Sequence, residues 1–258
     1  MNVPVIEMKD VAVGAMRDQE TIVVEHITWK VNARDYWVVA GLQGAGKTDF
    51  LMMAGGLMPP AAGDYWLFGE KMPIFDEPRL PTRLRMGLGF EGGQLFNHLT
   101  VGENVALPLR YHRNLPKEAA QPAVKEILEM MELLPWADST PGAIGRNWQR
   151  RVGLARALAL KPELLLVDNP LAGLDLRHLK WWLGFLEKLS KGCELTDGKP
   201  VTLVVTAADL RPWKNPARQF AVLRDKEFTV LGTWQQVEAA SEELLHELLT
   251  AEAGSEKE

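Results

Sequence analysis

The chain has 258 residues, 47% of them hydrophobic, which suits one large α/β domain or a core with an inserted subdomain. Its net charge of −5 sets up no field that favours nucleic acid, and one cysteine, Cys193, excludes an intramolecular disulfide and fits a reducing compartment. No apolar run approaches the ~18 residues of a membrane span, and Met1-Asn2-Val3-Pro4 does not open a signal peptide, so a soluble protein is expected that reaches a membrane only through partners.

In chain order, Val3–Met8, Thr21–Val24, Ile27–Val31 and Tyr36–Ala40 read as strands separated by polar turns. Residues 41–48 follow as Gly41-Leu42-Gln43-Gly44-Ala45-Gly46-Lys47-Thr48, a complete Walker A phosphate loop, and Asp49–Ala54 reads as a helix. Strand, glycine loop and helix are the context the motif needs. The glycines let backbone N–H groups approach phosphate oxygens, and the helix N-terminus adds partial positive charge. Lys47 would reach the terminal phosphates of a nucleoside triphosphate, and the Thr48 hydroxyl would ligate Mg²⁺.

After Pro59-Pro60, residues 64–68 and Met86–Phe90 read as short strands. Apolar residues three and four apart predict helices over Val101–Leu109, Lys117–Met131 and Gln149–Leu160. Leu164–Val167 is a buried strand ending at Asp168; Leu176–Ser190 is an amphipathic helix; Val201–Thr206, Phe220–Leu223 and Phe228–Leu231 are strands. Glu238–Leu249 reads as a helix, and Ala251–Glu258 as a polar tail. This order predicts a parallel α/β core binding phosphates at its strand ends, with the helical stretch as a subdomain between its halves. The nine tryptophans are scattered, which suits core and contact roles. Arg79, Arg83 and Arg85 are spaced through a loop, and His26, His98, His112, His178 and His246 show no metal-ligand spacing.

Six segments in order resemble the ATP-binding subunit of ABC transporters. They are the Walker A loop; Phe90–Phe96 with Leu99–Val105, at the Q-loop; Ile144–Arg151, at the signature; Leu164–Asp168, the Walker B strand; Ala172–Asp175, the D-loop; and Leu203–Leu210, where a histidine-ended strand stands in the family. The stretch GGQLFNHLTVGENVALPLR is similar to the ATPases of Mla/MCE-type lipid transport systems, with a generic ABC importer or exporter ATPase as the competitor. The resemblance implies a P-loop NTPase fold: a RecA-like core with an antiparallel β subdomain and an inserted helical signature subdomain. Residues 1–240 would form the cassette, with the insert at about 95–160, and 241–258 the end of a C-terminal helix and a tail. ATP and Mg²⁺ are the implied ligands, held by Gly41, Gln43, Gly44, Ala45, Gly46, Lys47, Thr48, Asp49 and Asp168, with Thr48, Asp168 and Glu91 toward the metal. A second ATP-binding subunit and a transmembrane permease are the implied partners, the latter at Leu95, Phe96, Leu99 and Val101, on the cytoplasmic face of the inner membrane.

Against that family several catalytic groups are replaced. Asn169 stands for the glutamate after Walker B, Ala208 for the switch histidine, Glu91 for the Q-loop glutamine, and Gly145, Arg146 and Asn147 for the signature serine and glycines. An amide accepts no proton near neutral pH. Asp49 replaces a second hydroxyl and is expected to repel an α-phosphate, while Ala15 or Met16 lies where an adenine-stacking ring is usual. The expectation is a protein that binds MgATP and hydrolyses it weakly or not at all. Glu91 is a candidate to replace the carboxylate missing at Asn169. The alternatives are a non-hydrolysing ABC-like regulatory subunit using ATP for dimerisation, and a small-molecule kinase. The D-loop text and the LTVGENV segment argue against the kinase.

Overall fold

The computed structural model describes residues 3–72, 79–214 and 219–239. The chain begins with strands β1 (Ile6–Ala15), β2 (Asp18–Val31) and β3 (Tyr36–Gly41), then helix α1 (Lys47–Ala54), β4 (Ala62–Leu67) and β5 (Glu70–Lys71). A short helix, α2 (Leu80–Arg83), precedes β6 (Met86–Gly89). Helices α3 (Val101–His112), α4 (Lys117–Met130) and α5 (Arg146–Leu158) come next. β7 (Leu164–Val167), α6 (Leu176–Lys191), β8 (Thr202–Ala207), β9 (Gln219–Arg224), β10 (Glu227–Gly232) and α7 (Trp234–Glu238) complete the described chain.

Ten strands form one sheet in the order β5-β4-β1-β2-β10-β9-β3-β8-β7-β6. From β9 to β6 neighbours run parallel, whereas β5, β4, β1 and β2 are antiparallel. β10 joins the halves, antiparallel to β9 and parallel to β2. Every residue of β3, β7 and β8 is buried, in keeping with sequences that are apolar throughout apart from Thr202 and Thr206 of β8. One face packs on α1 through Phe50, Leu51 and Met53; the other carries the core of α3 to α6. Because β3, β8, β7 and β6 are parallel neighbours, the loops leaving their C-terminal ends open on one edge. That edge carries the Walker A loop, Ala208, Asp168 with Asn169, and Glu91.

Several elements differ from the sequence reading. Thr21–Val24 and Ile27–Val31 are one strand, not two. Val11 pairs with Ile27 and Val13 with Val24, so β2 carries an extra residue there, and His26 takes φ 54°. This is a bulge that bends the strand without ending it. The stretch with Arg79, Arg83 and Arg85 is not simply a loop: Arg83 is buried at the end of α2, and Arg85 makes a two-pronged contact with Glu163 at 2.7 and 3.0 Å. α5 starts at Arg146, three residues before the expected Gln149. Of the predicted helix Glu238–Leu249 only its first residues fall within the described chain, and there Glu238 ends α7.

Candidate functional site: a phosphate loop and its neighbours

Gly44 and Gly46 hold φ values of 85° and 81°, where a side chain strains the backbone, and they turn the Walker A loop around Ala45. Gly41 is required by crowding: a Cβ there would meet the Leu223 carbonyl oxygen of β9 at 2.9 Å. Lys47 Nζ donates to the carbonyls of Gly41 and Leu42 at 2.6 and 2.7 Å, which lays the ammonium across the loop. Burial pushes its pKa below the ordinary lysine value, opposed by the Asp168 and Glu91 carboxylates.

Thr48 Oγ1 donates to Asp168 Oδ2 at 2.8 Å, and Thr206 Oγ1 donates to Asp168 Oδ1 at 2.7 Å. Thr206 Oγ1 also accepts from Asn169 N–H at 2.9 Å, so one hydroxyl of β8 fixes the end of β7. A hydroxyl and a carboxylate beside a phosphate loop form the hard oxygen donor set that suits Mg²⁺ with a triphosphate. Thr48 and Asp168 would hold that ion, which neutralises phosphate charge when bound.

Asn169 sits at φ 41°, a conformation asparagine adopts more readily than most residues. Its Nδ2 donates to Glu91 Oε2 at 3.2 Å, and Arg150 Nη2 lies 3.8 Å from Glu91 Oε1. Ala208, half-buried past the end of β8, offers only a methyl group. Asp49 Oδ1 accepts the Met16 backbone N–H at 2.8 Å. That bond ties the β1–β2 turn to α1 and leaves Met16 half exposed.

α5 is fastened on two sides. Toward the Q-loop, a Cβ on Gly153 would meet Gly93 Cα at 2.7 Å, and Arg156 Nη2 donates to the carbonyls of Gly93 and Gln94 at 2.9 and 2.8 Å. Toward the D-loop, Arg150 donates to the Ala172 carbonyl and Asn147 Nδ2 to Asp175 Oδ2 at 3.4 Å. One turn on, the fully buried Arg151 pairs with Glu132 at 2.8 Å, stacks on Trp181 at 3.7 Å and Trp148 at 4.6 Å, and donates to His178 Nδ1 at 3.1 Å. Burial, then the Arg151 charge, lower the His178 pKa, which keeps Nδ1 free to accept. The Gly145–Asn147 segment at the head of α5 has no side-chain cap, and Arg146 is exposed. Sequence reasoning missed Thr206, Arg150, Arg156 and the Arg151–His178 contact, whose partners lie on other elements.

The expected docking residues separate. Phe96 is 52% exposed, Leu95 and Leu99 are half-buried, and Val101 is buried in the core and leaves that surface. The buried Asn104 holds the Phe96 backbone from both sides: Oδ1 accepts Phe96 N–H at 2.9 Å and Nδ2 donates to Phe96 O at 3.1 Å. A capping box of Thr100 and Glu103 starts α3 directly behind it.

This edge of glycine loop, lysine, threonine and aspartate is built for a nucleoside triphosphate, and the sequence model of the ABC transporter family matches residues 24–172. The chain belongs to that family and is the ATP-binding subunit of an ABC transporter. It is 32% identical over 235 residues to the intermembrane phospholipid transport system ATP-binding protein MlaF of Escherichia coli strain K12, covering 91% of this chain and 84% of the relative. MlaF of Haemophilus influenzae is 27% identical over 238 residues, covering 92% and 87%. The fold matches a dimeric ATP-binding cassette in a post-hydrolysis state bound to ADP and Pi, with a TM-score of 0.74, 28% identity and coverage of 86% and 95%. The P-loop NTPase fold and the likeness to Mla-type ATPases expected from sequence are thus found.

Proposed function

We propose that the chain is the MgATP-binding subunit of a membrane lipid transporter of the Mla/MCE type, and that its hydrolysis is weak or lost. The observation that carries this reading is a divided site. Lys47, Thr48 and Asp168 are assembled for MgATP, whereas Asn169 and Ala208 stand where acid–base groups are needed. The phospholipid system named for the MlaF relatives supports the lipid. The ADP-bound dimer supports pairing with a second ATP-binding subunit. No described helix is long and apolar enough to cross a membrane, so attachment to the cytoplasmic face of the inner membrane would run through a permease.

Two variants test the halves of this reading. MgATP at about a hundred times its Kd is expected to stabilise the protein by about 2.7 kcal/mol, seen as a higher melting temperature, and Lys47→Ala is expected to abolish the shift. Phe96→Asp is expected to release the protein from host membranes in fractionation while keeping that shift, since losing one anchor of a small docking site costs about 2 kcal/mol or more. A Phe96→Asp protein that stays on membranes, or wild type that never associates with them, rejects the transporter reading and leaves the regulatory alternative.

A further inference from the structure

β6 and β7 are parallel, with Gly89 opposite Val167 and Asp168 N–H bonded to Gly89 O at 2.8 Å. This register brings Glu91 alongside Asn169, at the mouth of the phosphate loop. Among the described residues, the carboxylates of Asp168, Asp49, Asp209 and Glu91 stand on the segments around that mouth. Asp168 accepts from Thr48 and Thr206, one on each oxygen. Asp49 accepts from Met16 N–H. Asp209, past β8, is turned onto Arg211, with contacts of 2.9 and 2.7 Å. On Glu91 one oxygen takes the Asn169 amide, and the other is ion-paired with Arg150 at 3.8 Å, beyond hydrogen-bond range. Glu91 keeps acceptor capacity, its side chain is 46% exposed, and it is close enough to influence the Lys47 charge.

We propose that Glu91 is the general base of a slow ATP hydrolysis in this site, with Asn169 positioning its carboxylate. The acid and the amide that flank the attacking water would have exchanged places between β6 and β7. The step balances simply. The water oxygen bonds to the γ-phosphorus as the bond from the γ-phosphorus to the β–γ bridging oxygen breaks. The bridging electron pair leaves with ADP, and the water proton passes to Glu91 and then to solvent. The inference rests on the site binding MgATP.

The test uses the full chain, with phosphate release and melting temperature measured on the same preparations. Glu91→Gln keeps the shape and the contact with Asn169. Wild type is expected to release phosphate above the Lys47→Ala background. Glu91→Gln is expected to lower that release by about 10²-fold or more, the low end of what losing a base produces, with the MgATP melting shift unchanged. Equal rates for wild type and Glu91→Gln overturn the proposal, as does wild-type release no faster than Lys47→Ala. A Glu91→Gln protein that loses the melting shift also overturns it, because Glu91 would then hold the nucleotide and not take the proton. Wild type with no melting shift in MgATP rejects the MgATP reading itself, a separate failure.

Discussion

Wild-type protein at saturating MgATP is expected to release phosphate at least ~10²-fold more slowly than a reference ABC ATPase with glutamate and histidine at the positions of Asn169 and Ala208, since a base moved to Glu91 is not placed as that glutamate is, and a well-positioned general base contributes about 10²–10⁴ in rate. The Asn169 amide cannot take a proton, and the Ala208 methyl can neither donate to nor orient a phosphate. Asn169→Glu alone is expected to recover less than about tenfold of that deficit. It would set a second carboxylate where Asn169 now donates to Glu91 at 3.2 Å, and two like charges at that distance resist joint ionisation. It would also force a glutamate to φ 41°. Steady-state phosphate release, with the reference assayed alongside, decides the matter. A wild-type rate within tenfold of the reference rejects this account of the site.

The second large effect is on stability. Arg151→Ala is expected to cost about 3 kcal/mol, read as a drop of roughly 6–12 °C in melting temperature. The guanidinium is fully buried, sandwiched by Trp148 and Trp181, and Ala would remove both stacking contacts and the donor to His178. Arg151→Lys keeps the charge but not the flat ion that fills the space between the rings, so it is expected to recover less than half of the loss. A melting temperature within about 2 °C of wild type for Arg151→Ala would show that the aromatic box closes without its cation.

What could be read from sequence was local. The Walker A loop needs only a strand, spaced glycines and a helix, so residues 36–54 were legible at once. Asp168 was legible because it ends an unbroken apolar strand. Contacts between distant elements were not. Asn169 and Glu91 are 78 positions apart, and only the pairing of β6 with β7 makes them neighbours. The Asp49 contact was not legible because its partner, Met16, lies 33 positions away in another turn. The Arg151 cluster was not legible either, since besides Trp148 on its own helix its contacts come from the chain after α4 and from α6. One miss was avoidable: Thr233 and Gln236 form a capping box, a spacing that announces α7 in the sequence.

The Asn104 clamp on the loop before α3 has a consequence for the speed and lifetime of docking. A partner closing over Phe96 would meet a peg whose main chain is already fixed at both its N–H and its carbonyl. Only the ring's own rotation would be frozen on contact, within the ~0.5–1.5 kcal/mol of one immobilised side chain, and no loop would need to be ordered. Asn104→Ala would leave the same ring on a loosened stalk. The complex would then form with weaker affinity, mainly through faster dissociation, with no contact atom removed.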